Sequence, residues 1–128
     1  MKNNIFEEIG GFETIDRLVQ AFYQRIEEHP ELRQIFPEDL SESARKHKKF
    51  LTQFLGGPPL YNEEFGHPML RARHLRFPID AKLRDAWLES MKDAIVDASI
   101  QEPWATIILQ HLTMTAHHMQ NIYDDKGR

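Results

Sequence analysis

The densest run of chemistry-bearing residues in the chain is Arg71-Ala72-Arg73-His74-Leu75-Arg76. A histidine beside Leu75 and Phe77 can present its imidazole to an apolar cavity while the arginines stay at the rim. A neutral imidazole is a metal ligand or proton carrier. The arginine fork holds a carboxylate with two parallel hydrogen bonds. On these residues alone the favoured reading is a solvated basic turn with an ordinary histidine. Nucleic-acid contact is disfavoured by the formal net charge of −4 and by the lack of a longer basic stripe.

Other polar groups stand on apolar faces. His47 lies one turn from Phe50 and Leu51, either as a core histidine satisfied by a backbone carbonyl or as a polar group facing a ligand cavity. Tyr23 follows Phe22 beside an inward stripe, and Trp87 is central on another. Each is a large aromatic that buries well once its O–H or N–H is satisfied; together they offer two donors to a polar ligand in an apolar pocket. Haem asks for this combination: a neutral imidazole on the iron, apolar walls, and cations at the edge for two propionates.

The remaining histidines are weaker candidates. His117 and His118 are adjacent, so a helix points them apart, and His111 and His118 lie two turns apart, too far for a compact single-ion site. His67 reads as a loop or helix-start residue. Glu7-Glu8, Glu27-Glu28 and Glu63-Glu64 are neighbours on the chain, as on a solvated face. Neither a Gly-rich phosphate loop nor a hydrolase nucleophile motif is present. The absence of cysteine excludes disulfides, thiolate metal sites and cysteine nucleophiles.

The elements that must position these groups read as helices. Gly10-Gly11 separates a short N-terminal helical turn from a stretch in which Ile15, Leu18, Val19, Phe22 and Ile26 recur at helical spacing. Pro30 ends it, and a short segment from Glu31 to Phe36 runs to Pro37. Ser41 is the expected N-cap of a helix carrying Ala44, His47, Phe50, Leu51 and Phe54. Gly56-Gly57-Pro58-Pro59 stops that helix. About a dozen residues of irregular composition are expected next, then a short helix from Pro68 to Leu75. Asp80 can cap a long helix with Leu83, Trp87, Met91, Ala94 and Ile95 inward. Pro103 fits the first turn of the last helix, whose stripe is Trp104, Ile108, Leu112, Thr115, Met119 and Ile122.

No segment shows the alternation of a half-buried strand. The expectation is an all-α chain, one domain over residues 1–128. Its 41% hydrophobic and 28% charged residues are ordinary for a globular protein. No apolar run suits a signal peptide or a membrane helix, so a cytoplasmic location is expected.

Taken in order, Gly10-Gly11, Phe22-Tyr23, Phe36-Pro37-Glu38-Asp39, Phe54-Leu55-Gly56-Gly57-Pro58, Gly66-His67-Pro68 through His74, and Asp85-Ala86-Trp87-Leu88 resemble the group II truncated haemoglobins. The resemblance spans nearly the whole chain. It implies a truncated globin fold, a two-over-two helical sandwich around haem b, with His74 as proximal iron ligand. It implies that Phe36 packs on the haem near its distal side, and that Tyr23 and Trp87 are distal donors. Ser43 and His47 fall at the two inward distal positions of the second helix. Lys46, Tyr61 and Arg73 match positions that contact the propionates, and Phe50 and Phe77 are expected around the cofactor. The chain departs from the family pattern at His47, where leucine or glutamine is more familiar, and Ser43 stands where ordinary globins carry their distal histidine.

The function expected from this resemblance is reversible binding of dioxygen, or another diatomic ligand, with slow release. An enzymatic rival uses the same pocket for peroxidase-like turnover or nitric oxide dioxygenation, with His47 in acid–base work and a separate reductase partner. A third reading is a non-haem helical interaction domain in which Trp87 and His74 are structural. Neither nucleic acid nor membrane is expected as a partner; a monomer or weak homodimer is.

Overall fold

The computed structural model describes residues 4–66 and 80–119, and among them all regular structure is helical. The helices are α1 (Ile5–Glu8), α2 (Phe12–Glu27), α3 (Pro30–Arg33), α4 (Ser41–Phe54), α5 (Leu60–Phe65), α6 (Ala81–Asp97) and α7 (Trp104–Met119). The expected helix from Pro68 to Leu75, with His67, Arg73, His74 and Phe77, lies outside the described residues.

The two-glycine break between α1 and α2 has a steric cause. Gly10 has φ +113°, and a Cβ there would meet Thr14 Oγ1 at 2.5 Å. That hydroxyl donates to the Ile9 carbonyl at 2.6 Å, closing the turn. The apolar stripe of α2 is then the centre of the core: Ile15, Leu18, Val19, Phe22 and Ile26 are all buried. α2 packs on α4 along one side and on α6 along the other, and α6 packs on α7. Phe54 of α4 and His111 of α7 meet edge to face at 6.4 Å. The pair α2 and α4 is thus laid against the pair α6 and α7.

Three local expectations need correction. Ser41 is the first residue of α4 and does not cap it. Asp39 does this work two residues upstream, its Oδ1 accepting from the Ser41 amide at 2.9 Å and the Ser41 hydroxyl at 2.7 Å. Asp80 does cap α6, accepting from the Leu83 amide at 2.8 Å. Pro103 precedes α7 and is not within its first turn. The stretch after Pro58-Pro59 is not irregular throughout, because α5 occupies residues 60–65. The glycines end α4, with Gly56 at φ +99° and the Gly57 amide donating to the Thr52 carbonyl at 2.8 Å, whereas proline suits the approach to a new helix, where an amide would be unpaired anyway. None of the helices among the described residues is long and apolar enough to cross a membrane.

Candidate functional site

A cavity of about 240 Å³ opens between the helical layers, lined by Tyr23, Phe36, Ser43, Lys46, His47, Phe50, Tyr61, Trp87, Leu112 and Thr115. Residues expected at the site from α2, α4, α5 and α6 therefore converge on one space. Leu112 and Thr115 were legible only as members of the α7 stripe; a threonine in an otherwise apolar stripe was the available signal. A larger groove of about 670 Å³ lies along α2 and α4, but Arg17, Glu27, Lys48 and Asp97 place charges in its lining and Gln20 and Gln24 add neutral polar groups. The apolar lining and inward polar groups favour the smaller cavity as the site.

Phe22 lies behind that cavity, fully buried, in contact with three of the rings that line it. Its ring meets Tyr23 at 5.3 Å, His47 at 5.4 Å and Trp87 at 5.4 Å, each in edge geometry. Such contacts are favourable and directional, so one apolar ring fixes three polar ones. Its role is invisible in the sequence, where it is one stripe residue among several.

Each lining group is held by its element. Arg33 donates to the carbonyls of Pro37 at 2.9 Å and Glu38 at 2.6 Å, fixing the turn that carries Phe36. Phe36 then meets the Tyr23 ring edge to face at 5.7 Å. Gln53 exchanges two hydrogen bonds with Asn62, through the Asn62 side chain at 3.1 Å and its amide at 2.9 Å. This seats α5 so that Tyr61 is buried against Phe50, ring centroids 5.9 Å apart.

The polar groups are few. His47 Nδ1 and Tyr23 Oη are 3.3 Å apart. Burial pushes the Tyr23 phenol well above its ordinary range, so it stays protonated. Trp87 stacks over His47 at 6.5 Å with 27° between planes, and its indole N–H has no hydrogen-bond partner among the described residues. Of the α4 cations, Arg45 and Lys49 pair with Glu64, and Lys48 with Asp16. Lys46 has no carboxylate within ion-pair distance among the described residues; its ammonium sits over the Phe65 ring at 5.4 Å, at the edge of the cavity.

The sequence profile of the bacterial-like globins matches residues 4–121. The chain is 53% identical over 126 residues to the group 2 truncated hemoglobin YjbI of Bacillus subtilis, covering 98% of this chain and 95% of that one. It belongs to the group II truncated haemoglobins. The solved structures agree: the group II truncated hemoglobin of Bacillus anthracis superposes with a TM-score of 0.94 at 48% identity, over 99% of this chain and 98% of the other. The truncated oxygen-avid haemoglobin of Bacillus subtilis gives 0.90 at 53% identity, over 93% and 100%.

The layering of α2 and α4 against α6 and α7 is therefore the two-over-two sandwich of a truncated globin. Globins are haem proteins, and the described residues of this truncated haemoglobin fit that group. Aromatic walls, inward donors and the cation at the rim match a flat apolar ring with anionic substituents at its edge. The expected proximal ligand His74, with Arg73 and Phe77, lies outside the described residues. Family membership sets aside the reading as a non-haem interaction domain.

Proposed function

We propose that this truncated haemoglobin binds dioxygen reversibly at haem b, with His74 as proximal ligand, and releases it slowly. Ferrous haem supplies an open coordination position for a diatomic gas. The observation that carries the reading is the convergence of Tyr23, His47 and Trp87 on one aromatic-walled cavity. Bound dioxygen is partly negative, and a donor in a dry pocket stabilises that charge. The indole N–H of Trp87, without a hydrogen-bond partner among the described residues, is such a donor, while Phe36 and Phe50 exclude water. Lys46, Tyr61 and Arg73 serve the propionates, with Ser43 beside the distal space. A net hydrogen bond of ~1 kcal/mol corresponds to about a fivefold change in off-rate. The Bacillus subtilis relative described as oxygen-avid supports the same reading.

The test is a visible spectrum followed by stopped-flow oxygen release. The purified protein is expected to show a Soret band that His74→Gly abolishes, and Trp87→Phe to speed release several-fold. No Soret band after hemin is added, or release that Trp87→Phe leaves unchanged, sinks the reading.

One observation favours a second reading. An imidazole inside the cavity can shuttle a proton near neutral pH, as peroxidase-like chemistry or nitric oxide dioxygenation requires. Repeated turnover then draws electrons from a reductase partner. Peroxide turnover that falls in His47→Leu supports this reading, and turnover unaffected by that change removes it.

A further inference from the structure

We infer that His47 is a positioning residue that takes the hydroxyl proton of Tyr23, so that Tyr23 turns an oxygen lone pair, and Trp87 the donor, toward a bound ligand. The inference rests on the ligand-binding reading above and concerns how the polar groups divide the work.

The geometry is a contact between side chains of two helices. Tyr23 Oη on α2 lies 3.3 Å from His47 Nδ1 on α4, with their rings nearly perpendicular at 89°. The Tyr23 hydroxyl makes no other hydrogen bond among the described residues. Two arrangements satisfy this distance: the phenol donates to an unprotonated Nδ1, or a protonated Nδ1 donates to the phenol oxygen. A phenol O–H is a far better acid than a neutral imidazole N–H, and an imidazole nitrogen is a better base than a phenol oxygen. The first arrangement pairs the better donor with the better acceptor. In a poorly solvated cavity that difference is not levelled by water.

A phenol has one proton. Once His47 holds it, Tyr23 has only lone pairs left to present, and these repel a partly negative ligand atom. The wedged Phe22 ring, in contact with Tyr23, His47 and Trp87, resists rotation of the pair into another arrangement. The indole N–H of Trp87, unpartnered among the described residues, is then the donor available to the ligand. Leucine at position 47 would leave the phenol proton unclaimed, and glutamine would supply a carbonyl acceptor.

Oxygen off-rates in a double-mutant cycle test this. Tyr23→Phe in the native background is expected to change the off-rate less than twofold. His47→Leu is expected to slow release about fivefold, the equivalent of ~1 kcal/mol. Adding Tyr23→Phe to His47→Leu should return the rate to near native, and His47→Gln should behave like the native protein. The infrared stretch of bound carbon monoxide, which falls as positive potential near the ligand rises, should drop in His47→Leu and recover in the double variant. Loss of packing alone predicts neither recovery. Nitrogen-15 spectra of the carbon monoxide complex should show His47 Nδ1 unprotonated.

A Tyr23→Phe effect as large in the native protein as in His47→Leu overturns the inference, as does a protonated Nδ1. The nitrogen-15 measurement uses the native protein alone, so a folding defect in His47→Leu leaves the inference open to refutation. Failure of the ligand-binding reading is seen separately, as a protein that takes up no gas or ignores Trp87→Phe.

Discussion

The Tyr23 hydroxyl sits where an oxyanion would have no water, and burial raises its pKa far above the ordinary value of 10.0. An acid whose folded pKa is raised binds more protons folded than unfolded at alkaline pH. Its contribution is fully present below pH 10, where the unfolded phenol is also neutral, and drains away as pH rises beyond that. We expect denaturant-measured stability to decline above pH 10, and Tyr23→Phe to flatten the decline. An unchanged slope in the variant would place the alkaline loss elsewhere. The sequence marked Tyr23 and Trp87 as inward donors because apolar spacing shows which way a helical side chain points. It did not pair Tyr23 with His47, since a contact across 24 positions depends on how α2 and α4 cross.

At the scale of the element, α5 is a six-residue helix held to α4 partly by charge. Arg45 contacts both oxygens of Glu64 at 2.8 and 2.7 Å, and Lys49 shares the same carboxylate. These hydrogen bonds, Arg45 first, hold Glu64 down at about 2. A carboxylate with a depressed folded pKa contributes above its unfolded value of 4.5 and loses that contribution as pH falls toward about 2. The pairs are exposed, so the effect is modest and weakens in salt. Hydrogen exchange should find the amides of residues 60–65 losing protection between pH 4.5 and 2 ahead of α2, and Glu64→Gln should give that loss at neutral pH with little change in Tm. Equal protection in α2 and α5 through acidification would refute it. A helix this short has no periodicity to read; its place follows from partners on α4. The longer helices were legible because each repeats its apolar face over several turns.

At the scale of the whole molecule, Phe22 links the core to the cavity. Its ring is fully buried in α2, the helix that packs on both α4 and α6, and it supports the three polar rings of the site. Phe22→Ala should cost about 3–5 kcal/mol in chemical denaturation and loosen the cavity as well. Met114, 74% exposed on α7, gives the contrast: Met114→Ala should stay within about 0.5 kcal/mol of the native value. Similar losses for both would mean that the core is not organised around α2.

What the sequence determined by itself was the helical class and the inward faces of α2, α4, α6 and α7, with Tyr23, His47 and Trp87 among the residues on or beside them. These follow from local rules, 3.6-residue periodicity and chain-breaking glycines and prolines, that need no knowledge of distant neighbours. Only the tertiary structure decided that Phe22 wedges the polar rings, that His47 meets Tyr23, and that Lys46 is the α4 cation left without a carboxylate among the described residues. Those outcomes depend on the angles and registers at which helices cross. Shape and packing set them, and no single stretch of chain encodes them.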